Sequence, residues 1–373
     1  MNVTAIEIAG KSATYDWEKV DGSGHFRRKT LFPDTDSSTV GRRDLQVEMS
    51  STLDEISPEA VATSGWAYPR ALAALWWCYD RGVPAIVMSE SSERDFQRSW
   101  WREWGKMQVV RHFGAGLVGG TPHQTYLREL GMREDRIFKG YDAVDNDHFA
   151  TGARSAQNNA QATRRKYSLP HRYFLASARF VPKKNLRRLI EAFARYRAHA
   201  PSGREWELVL LGDGPNRNAV EEVIDTEGVR ESVHLPGFKQ YDVLPVFYGL
   251  AGAFVHASTR EQWGLVVNEA MACGLPVLVS DRCGCALDLV DEGGNGFTFD
   301  PYDPSALARL MVRVAHGDVD RERMGAVSQD IIAEWGPERF ATGLRKATEA
   351  ALHAGPPSFS LSDRLLTRGL MYR

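Results

Sequence analysis

The second half of the chain alternates short apolar runs with longer amphipathic stretches. Residues 172–177 (RYFLAS) form a run of strand length, after which Leu186, Leu189, Ile190 and Phe193 recur at helical spacing. The runs WELVLL (206–211), AGAFVHAS (251–258) and PVLVS (276–280) predict further strands. Helices are predicted over 216–225 and through GLVVNEAMAC, which Gly274 caps. Strand and helix alternating at this pitch predict a parallel sheet wound on both faces. Ligands bind such sheets at the carboxyl ends of the strands. The polar clusters fall there: Arg179, Gly212-Asp213-Gly214, Phe238 and Ser258-Thr259-Arg260-Glu261.

The first half alternates less cleanly. VTAIEIA (3–9), EAVATSG (59–65), PAIVMSE (84–90) and AGLVGG (115–120) are candidate strands, with candidate helices from Tyr68 to Arg81 and Thr121 to Leu130. The polar stretch TGARSAQNNAQATRRKYS (151–168) has the composition of a linker. The expected organisation is α/β, two Rossmann-like doubly wound domains facing across a cleft. Residues 1–165 would form the first domain and 166–335 the second, with 336–373 a helix and tail returning toward the first.

Composition narrows the classes. A chain of 373 residues can build two buried cores, and 43% hydrophobic with 25% charged residues excludes disorder. A net charge of -2 argues against a whole-protein field for nucleic acid. No apolar run approaches the roughly 18 residues of a membrane helix, and MNVTAIEIAG does not read as a signal peptide. Four cysteines are too few for a disulfide framework, so a reducing cytoplasm is expected.

The most informative segment is STREQWGLVVNEAMACGLP (258–276). Gly264, at the start of a helix, lets a ligand approach free backbone N–H groups, a natural phosphate site. Glu269 lies about one and a half turns further in, where a carboxylate can accept hydrogen bonds from ribose hydroxyls. Glu261, on the preceding loop, would face the bound group itself. In SARFVPKKNL (177–186), Arg179 and Lys184 flank a turn after a strand, and two fixed cations there can neutralise a departing diphosphate. Lys183 is expected to be solvated.

On these residues the chain resembles a known family. ARFVPKKNL, VLLGDGPN, VHLPGF and FVHASTREQWGLVVNEAMACGLPVLVSD stand in the order found in family 4 glycosyltransferases, retaining enzymes of the GT-B fold. The resemblance covers the donor domain, residues 172 to about 315, and includes the Glu-x7-Glu spacing of Glu261 and Glu269. It implies that Arg179 and Lys184 bind the diphosphate of a UDP- or GDP-type sugar donor, and that Glu269 takes the ribose. It further implies that the backbone of Gly264, Leu265 and Val266 holds phosphate, with Gly212 in the adjoining loop. Glu261 would sit beside the sugar, and the Gly237-Phe238 turn would meet the base. The implied activity is hexosyl transfer to a hydroxyl acceptor, a glycan, lipid-linked or small molecule, by front-face internal return, with no cofactor. A nucleotide-sugar epimerase and a non-catalytic nucleotide-sugar binder are the rival readings.

The first half is similar to the family more weakly, through GMREDRIFKGYDAVDNDHF (131–149). Many relatives carry a His-Asp pair after a strand of that domain; Ser89 and Glu90 stand there instead, leaving the residue opposite the sugar open. The family's first strand and its glycine-bearing loop would precede a strand like VTAIEIAG. Met1 is therefore expected to be an internal start, with about thirty residues missing before it; the alternative is that VTAIEIAG is itself the first strand and GKSATYDWEKVDGSG a rebuilt loop.

Weaker patterns complete the reading. Asp34-Thr35-Asp36, Asp145-Asn146-Asp147 and Asp318-Val319-Asp320 match the Asp-x-Asp of metal-dependent transferases, but in contexts too unrelated to support a metal site. Cys283-Gly284-Cys285 lacks a second ligand pair and reads as free thiols. His112, His123 and His148 have no metal-ligand spacing. FQRSWWREWGKMQVVRH (96–112) interleaves Trp100, Trp101 and Trp104 with cations, as a helix lying on an anionic membrane surface would. The bland alternative is a helix covering its own domain while its cations reach for water.

Overall fold

Successive residues along the strands of the second half point into opposite cores, which is why those runs are apolar throughout rather than alternating. Tyr173, Leu175, Val209, Leu211, Phe254, Val277 and Val279 pack on one face of a sheet. Phe174, Ala176, Leu208, Leu210, Ala253, Val255 and Leu278 pack on the other. The structure, a computed structural model, describes residues 1–11, 26–66, 68–95, 98–317, 319–360, 362–363, 367 and 369–370. The chain divides into two units, one of Met1–Tyr141 with Phe340–Arg373 and one of Asp142–Arg339.

In the first unit, β1 (Thr4–Lys11) pairs in parallel with β2 (Arg27–Asp36) as a two-stranded sheet. Next come α1 (Arg42–Ile56), β3 (Val61–Ser64), α2 (Pro69–Arg81), β4 (Ala85–Ser89), α3 (Trp100–Val110), β5 (Ala115–Val118), α4 (Thr121–Glu129) and β6 (Ile137–Lys139). Strands β3 to β6 form a parallel four-stranded sheet in sequence order. VTAIEIA is therefore a strand, but it pairs outside that main sheet. Its partner RRKTLFPDTD escapes the hydrophobic pattern because charged residues occupy half of it. GKSATYDWEKVDGSG lies almost wholly outside the described residues.

The second unit opens with α5 (Asn146–Asn158) and α6 (Ala160–Tyr167). The linker expected over 151–168 is thus helical, and the unit begins at Asp142 rather than after residue 165. Small side chains explain the misreading. Phe149, Ala153 and Ala156 are buried, and a Cβ on Gly249 would lie only 2.6 Å from the Ala153 Cα. This helix seats by close backbone approach rather than by large apolar groups. There follow β7 (Tyr173–Ser177), α7 (Leu186–His199), β8 (Glu207–Leu211), α8 (Arg217–Thr226), β9 (Val233–Gly237), α9 (Leu244–Gly249), β10 (Ala253–His256), α10 (Leu265–Ala272), β11 (Val277–Ser280), α11 (Ala286–Leu289), β12 (Gly296–Phe299), α12 (Pro304–His316) and α13 (Arg321–Ala333). The sheet order is β12-β11-β10-β7-β8-β9, all parallel. The chain winds outward from β7 to β9 and then crosses back to β10 on the other side of β7. The loops after β7 and β10 consequently diverge from one switch point, where open α/β sheets bind ligands.

Helix α14 (Pro337–Ala354) contributes from Phe340 onward to the first unit. Its Ala347 and Ala351 bury against Ile86, Ala115 and Leu117 on one face of the four-stranded sheet.

Candidate functional site

Two loops of the second unit are stitched together at the switch point. After β7, the Phe180 N–H donates to the Asp213 carbonyl at 2.8 Å, and a short turn spans Pro182–Lys184. Asn185 takes a left-handed conformation, and its buried Nδ2 donates to the Ala257 carbonyl (3.0 Å) and the Pro301 carbonyl (2.8 Å). The Thr259 N–H donates to the Lys183 carbonyl at 2.9 Å. This lacing brings Lys183 and Lys184 to the loop that carries Glu261.

Glu261 is the centre of the resulting network. Its Oε2 pairs with Lys184 Nζ, accepts from Ser258 Oγ at 3.1 Å, and lies 3.4 Å from His256 Nε2. Lys183 Nζ stands 3.7 Å from Oε1. The side chains of Glu261 and Lys184 keep only 12% and 15% of their exposure. Burial works against the Glu261 charge, but the His256 contact and the Lys184 charge outweigh it and hold the carboxyl well below its usual range. Burial also pushes His256 down, which favours its neutral form. Three polar groups thus converge on Oε2, while the more distant Lys183 stands on the Oε1 side.

Below Glu261, Gly264 opens α10 with φ of 108°, a conformation that L side chains rarely adopt. The first N–H groups of a helix have no partner within it, and here they belong to Leu265 and Val266. The Trp263 indole N–H donates to Asn268 Oδ1 at 2.9 Å, and its ring packs on Trp335 at 5.1 Å, fixing the turn. Further along α10, Glu269 accepts from Tyr248 Oη at 2.6 Å. Burial dominates there and raises the Glu269 carboxyl to about 7 despite the tyrosine. Two glutamates on one loop and helix are therefore shifted in opposite directions.

Gly212 ends β8, its N–H donating to the Gly237 carbonyl at 3.1 Å. A Cβ there would fall 1.9 Å from the Ala178 carbonyl oxygen, so the close approach of the two loops requires glycine. Phe238 is 38% exposed beside this edge. Arg179 follows β7 as expected, but its side chain is exposed and makes no ion pair among the described residues. Lys183, expected in solvent, is 40% exposed and still reaches toward Glu261.

The structure thus joins Lys184 and Glu261 directly, and sets Arg179, Gly212, Gly237 and Phe238 on the same edge without linking them to that pair. Sequence reasoning missed His256 and Tyr248, and named Ser258 only as part of a polar cluster. His256 and Ser258 lie within a quoted motif at five and three residues before Glu261. Tyr248 comes from α9, with no local signal. The Asp-x-Asp pairs serve turns: Asp36 accepts from the Ser38 N–H, Asp145 caps α5 and Asp320 caps α13. Asp318 lies outside the described residues. Among the described residues no group of three or more His, Cys, Asp or Glu side chains is placed to hold a metal ion. Cys283 and Cys285 are free and buried.

Residues 159–330 match the family model described as glycosyl transferases group 1. The chain is 30% identical over 256 residues to the alpha-D-kanosaminyltransferase of Streptomyces kanamyceticus, 65% of this chain and 64% of that one. It is 29% identical over 272 residues to the D-inositol 3-phosphate glycosyltransferase of Salinispora arenicola, 69% and 60% of the two chains. The alpha-monoglucosyldiacylglycerol synthase of Acholeplasma laidlawii is 28% identical over 173 residues, 46% and 41%. Each match takes in less than two thirds of the relative's length. Among solved structures, Anabaena Alr3699/HepE in complex with UDP superposes with a TM-score of 0.70 at 18% identity, covering 87% of both chains. The sucrose-phosphate synthase of Thermosynechococcus elongatus does so with 0.70 at 19% identity, covering 92% and 88%. The fold is that of the GT-B glycosyltransferases.

The Glu269 carboxyl makes nucleotide affinity pH-dependent if ribose hydroxyls bind it. Hydrogen bonds donated to the ionised form lower its pKa in the complex below about 7. Affinity for such a hydroxyl-bearing ligand should then be full above that pH and fall below it, by up to about tenfold per unit. Calorimetry across pH 6 to 8 measures this, and Glu269→Gln should flatten the component due to the carboxyl.

Proposed function

We propose that this chain is a retaining glycosyltransferase that moves a hexose from a nucleoside diphosphate sugar to a hydroxyl acceptor. The observation that carries the reading is the part-buried Lys184–Glu261 pair at the switch point of the six-stranded sheet, on the loop that leads into the N-terminus of α10. Transfer from such a donor needs charge stabilisation on the departing diphosphate more than it needs a strong base. Lys184, Arg179 and the backbone N–H groups of Leu265 and Val266 supply it. Glu269 takes the ribose and Glu261 orients the sugar. The glycosidic bond to the diphosphate breaks as the acceptor oxygen bonds to the anomeric carbon on the same face. The acceptor proton passes to the departing phosphate oxygen.

This chemistry requires no metal, and we expect transfer to survive EDTA. Complete loss restored by manganese or magnesium would overturn that part of the reading. A cytoplasmic site of action belongs to the same proposal, supported by four cysteines that are all free and buried. Among the described residues no helix is long and apolar enough to cross a membrane.

UDP, bound in the Anabaena structure, is the first probe. A rise in the unfolding midpoint with UDP or GDP, followed by transfer from the matching sugar donor, is the expected result. No shift with any nucleoside diphosphate would sink the reading.

A further inference from the structure

The first unit carries a feature that glycosyl transfer does not use. In α3, Trp100, Trp101, Trp104 and Met107 are 82%, 46%, 53% and 38% exposed. Positions 100, 104 and 107 follow the i, i+4, i+7 spacing, with 101 beside them, so the four side chains share one stripe. The opposite face faces inward. Val109 and Val110 are buried. Glu103 accepts from Lys106 Nζ at 2.8 Å and from Tyr126 Oη at 2.9 Å, tying the helix to α4. The tryptophans are therefore held outward by a helix whose other side is fixed.

Charge around the stripe is one-sided. Between residues 98 and 111 stand Arg98, Arg102, Lys106 and Arg111 against the single carboxylate Glu103, in a chain whose net charge is -2. Arg98 is shared among Glu93, Glu103 and Glu129, and Arg111 pairs with Asp363. Arg102 makes no ion pair among the described residues; it is exposed, with its guanidinium 5.0 Å from the centre of the Trp101 ring. Its cation is displayed beside the indoles rather than neutralised.

We propose that α3 docks this face on the surface of a bilayer containing anionic lipid. An indole has an apolar body and one N–H donor, and it settles where headgroups meet acyl chains. A convex helix with protruding rings suits a deformable lipid surface, and an unpaired arginine beside them suits phosphate headgroups. The proposal is independent of the transferase reading, because it concerns the first unit alone and its test needs no donor.

The test is co-sedimentation of the full chain with vesicles of phosphatidylcholine, with and without about a quarter phosphatidylglycerol. Sedimentation with the anionic vesicles, weakened by salt, is expected. The combined Trp100→Ala, Trp101→Ala and Trp104→Ala variant should bind about 100-fold more weakly or worse. Its unfolding midpoint should be nearly unchanged, because these rings face solvent. Should that variant fold poorly, Trp100→Ser alone still tests the stripe and should bind clearly more weakly. Arg102→Glu should lose about fivefold or more on anionic vesicles and little on neutral ones. Wild-type protein that stays in the supernatant overturns the proposal, as does equal binding by the tryptophan variants. Self-association abolished by the same variants without vesicle binding would instead assign the face to a second copy of the chain and overturn it too.

Discussion

Lys184→Met should lower turnover by about 100-fold or more, the usual cost of deleting one preorganised charge at a developing anion. It should also weaken UDP binding, since a charge-assisted contact to phosphate contributes about 1.5–3 kcal/mol. A structural cost accompanies both. Lys184 and Glu261 are each largely shielded from water, and breaking a fully buried pair from one side typically costs about 3–5 kcal/mol. Here Ser258 and His256 still face Glu261 Oε2, and Lys183 stands 3.7 Å from Oε1, so a smaller loss of about 1–3 kcal/mol is expected. Lys184→Arg restores the charge and should recover most of the stability. Steady-state kinetics, calorimetry with UDP and thermal unfolding separate the three effects. A methionine variant that turns over like wild type would remove Lys184 from the chemistry.

The six-stranded sheet was legible because its strands are buried on both faces and its helices carry one apolar stripe. Tyr173–Ser177 and Val277–Ser280 are continuous apolar runs, which few other local structures produce. Helix α5 was not legible, since glycine and alanine at its contacts with α9 look like linker composition. Strand β2 was hidden by its arginines and aspartates, because only Leu31 within it is fully buried. The site divides in the same way. The loops after β7 and β10 carry recognisable residues, so Arg179, Lys184, Glu261 and Glu269 could be named as candidates from the motifs and the family resemblance. Their electrostatic states could not. Whether Glu261 stays ionised depends on His256 and Lys184, and the position of Glu269 near neutrality depends on burial and on Tyr248 from α9. Those are facts of packing between distant segments.

That contrast sets the sharpest expectation for Glu261→Gln. The amide keeps the shape of the side chain and removes its charge, leaving Lys184 with no full counter-charge. Lys184 pairs with this carboxylate, so on the proposed reading an arriving diphosphate would compete with Glu261 for the same ammonium. Removing the competitor should therefore leave UDP affinity unchanged or raise it several-fold, since Lys184 no longer has to be drawn from an ion pair. Turnover should move the other way, falling about 100-fold, because the group proposed to face the sugar has lost its charge. Stability supplies an independent readout. A carboxyl held below its usual range stabilises the fold above the ordinary carboxylate pKa of about 4.5, and that contribution is lost as pH falls through the folded value. Wild type should accordingly be more stable than the glutamine variant near neutrality, with the difference shrinking in acid. Affinity for UDP that collapses while turnover at saturating donor is kept would assign Glu261 to the nucleotide and take it away from the sugar.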